Sequence, residues 1–247
     1  MTKLPKTIFI SDLHLDESHT QSSAQFLALL EQCDESVDAL YILGDFFEVW
    51  IGDDNLSDFN VKIMTALAKA TKAGLPIYFM RGNRDFLYGK QFQQKTGCRL
   101  LEDETVISLY GTPVLLMHGD MLCIDDIKYM KARKFAYRPL VQFIFLNLPL
   151  FIRQKIANHL RNKSMHHTEI THENIMDVVP AEVVRILEKH KVQYMIHGHT
   201  HRRGFHQVAL KNGTAERIVL GAWHPTGNAL YWYSDGTKQL VDLPTLS

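Results

Sequence analysis

Five short motifs in the chain combine residue types that bind metal ions. They are Asp12-Leu13-His14, Gly44-Asp45, Gly82-Asn83-Arg84-Asp85, His118-Gly119-Asp120 and Gly198-His199-Thr200-His201. Carboxylate oxygens together with imidazole nitrogens suit manganese, iron or zinc better than calcium or magnesium. Two such ions that share one carboxylate can hydrolyse phosphate esters. The set therefore predicts a binuclear metal site, with Asp45, which stands alone in its motif, as the shared carboxylate.

Each motif has a simpler interpretation when it is taken alone. Asp12-x-His14 and Asn83 fit ordinary turns, and His118 fits a partly buried core histidine. All five motifs nevertheless share one position, because each follows a short apolar run typical of a strand. These runs are residues 7–10, 40–43, 77–80, 114–117 and 194–196. Their common position favours one metal site over five unrelated features.

The elements around these motifs predict an α/β fold. In the first hundred residues, strand patterns alternate with helical patterns. The strands lie near 7–11, 39–43 and 76–80, and the helices near 21–33, 57–73 and 89–96. This alternation predicts a mainly parallel sheet covered by helices. In such sheets ligands bind beyond the carboxyl ends of the strands, which is where the motifs stand.

The pattern changes after residue 104. Thr105–Leu109 and Pro113–Met117 predict a hairpin, and the chain from Gly204 predicts short strands with turns at Asn212-Gly213 and Asp235-Gly236. We therefore expect a second, largely antiparallel sheet. Packed face to face on the first sheet, with helices outside, it would complete an α/β/β/α sandwich.

A segment at about 123–175 has a different character and is predicted to be a helical insertion. Between residues 128 and 168 there is no Asp or Glu, while nine Lys or Arg occur, at 128, 131, 133, 134, 138, 153, 155, 161 and 163. The apolar run at 141–152 is too short to span a membrane but long enough to bury one face in its surface. One interpretation is a lid that caps the site and docks on an anionic membrane. The alternative, compatible with it, is a lid that buries Phe143, Phe145, Leu148 and Phe151 in an ordinary core.

Length and composition fit one domain, residues 1–247, that carries this insertion. The formal net charge is zero, which argues against binding to nucleic acid. Cys33, Cys98 and Cys123 show no disulfide or zinc spacing, so we expect a reducing compartment. The N-terminus shows no signal-peptide pattern, and no apolar stretch reaches the length of a membrane span. The sequence therefore predicts a cytoplasmic protein.

The order of the five motifs resembles that of the calcineurin-like metallophosphoesterases. Within them, the chain is similar to the family of bacterial UDP-2,3-diacylglucosamine diphosphatases of lipid A synthesis. The similarity covers nearly the whole chain, and Gly52-Asp53-Asp54-Asn55 and Leu148-Pro149-Leu150-Phe151 are stretches specific beyond the superfamily. It implies a sandwich of two mixed sheets with a helical lid. It also implies hydrolysis of UDP-2,3-diacylglucosamine to 2,3-diacylglucosamine 1-phosphate and UMP.

The resemblance further implies a role for individual residues. It assigns one Mn²⁺ ion to Asp12, His14, Asp45 and His201, and a second to Asp45, Asn83, His118 and His199. It assigns catalysis to Asn83, Arg84 and His118. It assigns substrate binding to Asn83, Arg84, Asp126, Tyr129, Arg161, Ser164 and His199. His197 is then structural rather than a ligand.

One stretch departs from the family pattern. Residues 165–172 do not match it, and Thr171 stands where the family commonly has lysine. The pair His166-His167 in this stretch is consistent with an extra metal site, but an exposed polar loop is the favoured interpretation. The substrate contacts from this side are therefore left open.

Arg84 carries information about the substrate. Many relatives in the superfamily have histidine there, which can protonate an alkoxide leaving group. Arginine stays charged and cannot act as a general acid, but it can bind phosphate oxygens. A phosphate leaving group, with a second pKa of about 6, hardly needs a proton. Arg84 therefore favours cleavage of a pyrophosphate. The alternative is that it pairs with Asp85.

The leading prediction is a lipid-nucleotide diphosphatase that acts on a lipid-linked UDP-sugar. We expect it at the cytoplasmic face of the bacterial inner membrane, as a peripheral protein on the anionic surface, without nucleic acid or an obligatory protein partner. The alternatives are a generic metallophosphodiesterase, nuclease or nucleotide pyrophosphatase of the same fold, and a metal-bound membrane adaptor without turnover. The complete ligand set weighs against an adaptor, which has no need of open metal positions.

Overall fold

A six-stranded sheet unites the first hundred residues with the C-terminal end of the chain. The computed structural model describes residues 3–18, 20–170 and 177–244, without the side chains of 162–170. In spatial order the strands are β11 (Lys238–Asp242), β10 (Asn228–Tyr233), β1 (Lys6–Ile10), β2 (Val37–Leu43), β3 (Ile77–Met80) and β4 (Arg99–Leu100). β1 to β4 run parallel, whereas β10 is antiparallel to both of its neighbours.

Three helices connect the parallel strands: α1 (Thr20–Gln32), α2 (Asp58–Lys72) and α3 (Lys90–Thr96). The side chain of Ser57 starts α2 by accepting a hydrogen bond from the backbone N–H of Asn60 at 3.2 Å. Gly97 ends α3 in the left-handed conformation that a residue with a Cβ adopts reluctantly. These capping residues explain why the helices begin and end close to the bounds that the sequence pattern predicts.

The second sheet has five strands. In spatial order they are β5 (Thr105–Leu109), β6 (Thr112–Leu116), β7 (Tyr194–His197), β9 (Gly213–Val219) and β8 (Gly204–Leu210). β5–β6 and β8–β9 are hairpins, whereas β7 is parallel to both β6 and β9. The helix α7 (Pro180–His190) leads into β7.

The two sheets form the middle layers of a four-layer sandwich. Ile8 and Ile10 of β1 face the helices α1 to α3, while Phe9 between them packs against the second sheet. The apolar face of α7 covers the outer side of the second sheet with Val183 and Leu187. Since both faces of the inner strands are covered, these strands are apolar throughout rather than alternating. The α/β/β/α prediction is confirmed.

Two expectations about the second sheet are wrong. It is mixed, as the resemblance implied, rather than largely antiparallel, as the local pattern suggested, because the connection through α7 brings β7 in parallel to β6. The C-terminal hairpin β10–β11 belongs to the first sheet, where Phe9 pairs with Leu230. The turn at Asp235-Gly236 is placed correctly, but a turn does not say which sheet edge its hairpin joins. The two-residue β4 was not predicted.

Between β6 and α7, the described residues include three α-helices, α4 (Ile127–Ala136), α5 (Pro139–Leu146) and α6 (Leu150–Ile170). We call α4, α5 and α6 the lid helices. In α4 and α5, which lie wholly in the described part of the chain, no residue is fully buried. Phe143 and Phe151 are 65% and 64% exposed, so the interpretation that buries them in a core is wrong for both. Phe145 does pack against the core of the first sheet.

A buried arginine ties the lid helices to the sandwich. Arg153, at the start of α6, forms an ion pair with Asp54 and donates to the carbonyl oxygen of Ile51 at 2.7 Å. Its side chain is buried although the sequence counts it among the basic residues of the lid. Among the described residues, no helix combines the length and apolarity needed to cross a membrane.

Candidate metal centre

The five motifs meet at one edge of the sandwich. Asp12, Asp45 and Asn83 follow β1, β2 and β3, while His118 and His199 follow β6 and β7. Both groups of strands are parallel, so their carboxyl ends lie side by side. Backbone hydrogen bonds join the loops, including Asp12 N–H to the carbonyl oxygen of Gly44 at 3.1 Å. The structure thus brings together the seven residues that were predicted to bind metal.

These residues form two clusters. The first cluster contains Asp12, His14 and His201, whose potential ligand atoms all lie within 4.8 Å of one another. His201 Nε2 lies 3.4 Å from Asp12 Oδ1. Each of the three thus directs one oxygen or nitrogen toward a common point, which is the requirement for a metal site.

The second cluster contains Asp45, His118 and His199, again within 4.8 Å. Asn83 Oδ1 lies 3.0 Å from His118 Nε2 and 3.0 Å from His199 Nδ1, so it joins this cluster. Asp45 faces both clusters, because Oδ1 lies 3.7 Å from His118 Nε2 and Oδ2 lies 3.8 Å from His14 Nε2. A carboxylate with one oxygen toward each cluster has the geometry of a bridge.

The backbone is strained at most of these positions. Asp12, His14, Asp45, His199 and His201 all have positive φ angles, between 49° and 66°. Residues with side chains adopt this region at a cost, and such strain collects at functional sites. The strain aims side chains from tightly turning loops, and no sequence pattern revealed it.

Two glycines allow the loops to approach one another closely. A Cβ on Gly82 would lie 2.2 Å from the backbone nitrogen of Asp45, and one on Gly198 would lie 2.1 Å from Asp12 Oδ2. His199 N–H then donates to Asp12 Oδ2 at 2.9 Å, which links the second sheet to the first. A larger residue at Gly82 would push its loop away from Asp45, and one at Gly198 would push its loop away from Asp12.

Asp85 holds the loops of the second cluster in place. It is fully buried and accepts hydrogen bonds from the backbone N–H groups of Asp45, Phe46, Phe47 and Gly82, as well as from the hydroxyl of Tyr88. Its oxygens are therefore occupied, and the alternative that Arg84 pairs with Asp85 is wrong. The carboxylate near Arg84 is that of Glu48, at 4.0 Å from Nη1.

The pKa values of the site reflect its density of negative charge. Burial opposes the protonation of His118, but Asp45, Asp12 and Asp120 outweigh burial and raise its pKa to about 9. Burial and the neighbouring His118 lower the pKa of His199 to about 4. A field that attracts protons to a buried imidazole also attracts a divalent cation, and metal binding displaces such protons. The donor set therefore fits divalent metal ions.

A polar neighbour at Nδ1 determines which nitrogen of His118 and of His14 is available. His118 Nδ1 lies 2.8 Å from the carbonyl oxygen of Leu43, to which it donates, so Nε2 faces Asn83 and Asp45. His14 Nδ1 lies 2.9 Å from Glu48 Oε2, which leaves Nε2 for the first cluster. Glu48 was not among the predicted site residues, because no spacing rule connects it with His14.

His197 lies outside both clusters. Its ring is buried, with Nε2 at 3.0 Å from an Nη1 of Arg217 and Nδ1 at 2.8 Å from the carbonyl oxygen of Gly198. Burial, followed by the charge of Arg217, lowers its pKa to about 3. The neutral ring supports the loop that carries His199, which agrees with the structural role predicted for it.

The lid helices place part of the predicted substrate contacts near the clusters. The ring of Tyr129 lies 6.1 Å from that of His199, and its hydroxyl donates to Asp120 at 2.5 Å. Asp126 begins α4 by accepting from the N–H of Tyr129. Arg161 Nε lies 2.9 Å from Glu48 Oε1. The side chains of Ser164 and of the pair His166-His167 fall outside the described residues, as does Thr171.

Asp120 was quoted in a motif but given no function. Its carboxylate, buried beside His118, accepts from Tyr129 and pairs with Arg133 Nε at 2.5 Å. Burial opposes its ionisation, but His118 and Arg133 outweigh burial and lower its pKa to about 2. Asp120 therefore connects the motif after β6 with α4 of the lid.

Comparison with known proteins agrees with this geometry. The family model of the calcineurin-like phosphoesterases matches residues 5–203. The chain belongs to this family. Its fold and donor set are accordingly those of a metallophosphoesterase that binds divalent metal.

Curated relatives resemble the chain over nearly its full length. A protein of Coxiella burnetii (strain RSA 493 / Nine Mile phase I) named UDP-2,3-diacylglucosamine hydrolase is 48% identical over 95% of this chain and 96% of its own. One of Serratia proteamaculans (strain 568) with the same name is 46% identical, with coverages of 96% and 99%. Among solved structures, an archaeal phosphodiesterase aligns with a TM-score of 0.48 and 13% identity, over 96% of this chain and 99% of that one.

Proposed function

We propose that this protein hydrolyses the pyrophosphate bond of UDP-2,3-diacylglucosamine to give 2,3-diacylglucosamine 1-phosphate and UMP. The observation that carries the proposal is Asp45, whose two oxygens face two clusters of ligand atoms. The names of relatives at 46–48% identity supply the substrate. The expected product pair is the one implied by the resemblance to the diphosphatases of lipid A synthesis.

The ions proposed for the clusters are two Mn²⁺. Asp12, His14 and His201 would hold one, and Asn83, His118 and His199 would hold the other, with Asp45 between them. Bound there, such ions would supply a hydroxide nucleophile and would neutralise phosphoryl oxygens. The protein contributes the orientation of the ligands, through Asp85 and the buried hydrogen bond of His118.

Arg84 is proposed to bind oxygens of the leaving phosphate, whether that phosphate belongs to the lipid product or to UMP. Its backbone N–H donates to Asp45 Oδ1 at 2.9 Å, which places its side chain beside the shared carboxylate. Because Asp85 does not pair with it, the guanidinium is able to turn toward phosphate oxygens. A guanidinium stabilises negative charge and does not serve as a general acid for the leaving group.

The lid helices are proposed to accommodate acyl chains and to dock on the anionic surface of the inner membrane from its cytoplasmic face. Large apolar side chains project from them into solvent, among them Leu140, Phe143, Ile144 and Phe151. A cavity of about 710 Å³ with apolar walls lies along α4 and is flanked by Lys131, Lys134 and Arg138. Apolar side chains beside cations match the chemistry of an anionic membrane surface.

Incubation of the purified protein with Mn²⁺ and UDP-2,3-diacylglucosamine tests the proposal, with UMP release as the readout. Release of UMP supports it. Cleavage of bis-p-nitrophenyl phosphate without UMP release would replace it with the generic phosphodiesterase. Absence of both would favour the adaptor.

The role of Arg84 is tested with the variant Arg84→His in the same assay. We expect kcat for UMP release to fall by about tenfold or more, because a bidentate, charge-assisted contact with phosphate is lost. Full diphosphatase activity in this variant would remove the argument that links Arg84 to a phosphate leaving group.

A further inference from the structure

One carboxylate lies between the first cluster and the arginines at the mouth of the site. Glu48 Oε2 lies 2.9 Å from His14 Nδ1, while Glu48 Oε1 lies 2.9 Å from Arg161 Nε and 4.0 Å from Arg84 Nη1. Only 12% of its side chain is exposed. Each oxygen therefore has a separate set of partners, one within the metal cluster and one outside it.

The backbone places Glu48 beside His14. Beyond their strands, the loops that follow β1 and β2 stay paired, because Leu15 and Phe47 form an isolated parallel bridge. Glu48 N–H donates to the carbonyl oxygen of Leu15 at 3.1 Å. The position of the carboxylate therefore follows from main-chain contacts and not from the flexible arginines.

We propose that Glu48 is a positioning residue that couples the orientation of His14 to the placement of Arg161 and Arg84. This inference rests on the proposed function for the identity of the phosphate that the arginines meet. Through Oε2, Glu48 makes an ion-pair contact with Nδ1 of His14, which leaves Nε2 on the side of Asp45 and the first cluster. Outer partners of this kind determine the ring orientation and basicity of a metal-binding histidine.

Through Oε1, Glu48 holds the arginines near the entrance. Arg161 comes from α6 of the lid, and Arg84 comes from the loop after β3, so two separate parts of the chain converge on one oxygen. Arg161 Nη2 lies 3.8 Å from Asp16 Oδ2, which gives it a second carboxylate that does not involve His14. Glu48 and Asp16 balance the charges of the two arginines, so the entrance offers guanidinium N–H donors, which suit phosphate oxygens, rather than an excess of positive charge.

The test separates the two functions of the carboxylate. Glu48→Gln keeps the length of the side chain but has one acceptor oxygen, so its amide group must oppose the N–H donors of either His14 or the arginines. We expect Mn²⁺ affinity, measured by titration calorimetry on the metal-stripped protein, to fall by about tenfold. We also expect KM for UDP-2,3-diacylglucosamine at saturating Mn²⁺ to rise by about tenfold, since a charge-assisted contact that holds the arginines is lost.

Two controls leave His14 untouched. Arg161→Ala should raise KM and retain the Mn²⁺ affinity of the wild type. Asp16→Asn, which removes the other carboxylate beside Arg161, should also retain it. The double variant Glu48→Gln/Arg161→Ala should raise KM by less than the product of the two single effects. Its Mn²⁺ affinity should equal that of Glu48→Gln. General damage to the fold would not produce this combination.

Glu48→Asp is the second variant if Glu48→Gln does not fold. Its carboxylate is one methylene shorter and cannot reach both sets of partners, so the same paired loss is expected. A change in Mn²⁺ affinity alone, or in KM alone, would overturn the coupling. If the wild type releases no UMP, the proposed function fails, and the KM measurements are made with bis-p-nitrophenyl phosphate, on which Glu48 is judged by the same criteria.

Discussion

The metal clusters and the lid helices beside them are held in place by different forces. Asp12, Asp45 and His118 are buried, and their loops are strained and joined by hydrogen bonds on all sides. In α4 and α5, by contrast, no residue is fully buried, and Leu140 and Phe143 are mostly exposed. Tight packing fixes side chains to within fractions of an ångström, which metal ligands require. The lid surface lacks such packing.

The lid is attached to the sandwich at a few polar points. Arg153 pairs with Asp54, Arg133 pairs with Asp120 and Asp103, and the hydroxyl of Tyr137 donates to the carbonyl oxygen of Gly82 at 3.1 Å. Of the nine basic residues that suggested a membrane surface, Arg133, Arg153 and Arg161 are therefore used inside the protein. The cations available to a membrane are fewer than the sequence indicates.

The largest effect is expected from a change at the centre of the rigid region. Asp45→Asn removes the charge of the carboxylate between the clusters, so kcat for UMP release should fall by about a thousandfold. Its free energy of unfolding should change little in the metal-stripped protein, because the amide oxygen can still accept from Arg84 N–H. Asp58→Asn, the same chemical change on the exposed start of α2, is the control. Comparable activity in both variants would contradict the bridging role.

Asp85→Asn is expected to destabilise the loops around the metal centre rather than to remove a catalytic group. The asparagine NH₂ group would face backbone N–H groups that now donate to a carboxylate, which leaves buried donors unpaired. The free energy of unfolding should drop by about 3 kcal/mol. Urea denaturation measures it, again against Asp58→Asn. A loss of unfolding free energy below about 1 kcal/mol would show that Asp85 does not hold these loops together.

In the lid helices, replacing exposed aromatic residues should weaken membrane binding, whereas replacing a packed one should lower the stability of the fold. Phe143→Ala with Phe151→Ala should change the free energy of unfolding by less than about 1 kcal/mol, since neither ring is packed. Binding to anionic vesicles should fall at least about a hundredfold, or about tenfold for each residue, because two apolar side chains no longer enter the membrane surface. Phe145→Ala, the matched control on α5 beside Phe143, should instead lower the free energy of unfolding by about 2 kcal/mol.

The smallest effect per residue is expected from the cations beside the lid cavity. Neutralising Lys131, Lys134 and Arg138 to glutamine should weaken vesicle binding by about fivefold for each residue, or about 1 kcal/mol, and make it less sensitive to salt. Arg133 is excluded because it holds Asp120. The control replaces Lys62, Lys69 and Lys72, exposed on α2, by glutamine. Equal losses in both triple variants would point to net charge alone.

The elements and their order were predictable because they depend on local pattern. Ser57, Gly97 and the apolar runs mark the ends of helices and strands with side chains that act on their own backbone. The destination of the C-terminal hairpin was not predictable, because β10 and β11 would present similar apolar faces to either sheet. The parallel alignment of β7 depends on the route through α7, which local pattern does not encode.

The sequence alone determined the donor types of the metal centre and their position after five strands, because metal binding requires particular side chains and parallel strands end at one edge. The sequence also singled out Asp45 as the shared carboxylate. Only the tertiary structure decided that Asp85 accepts from backbone N–H groups rather than from Arg84, and that Glu48 lies between His14 and two arginines. These contacts connect residues far apart in the chain or held in strained turns. Their distances depend on how the two sheets pack, and no spacing along the sequence carries that information.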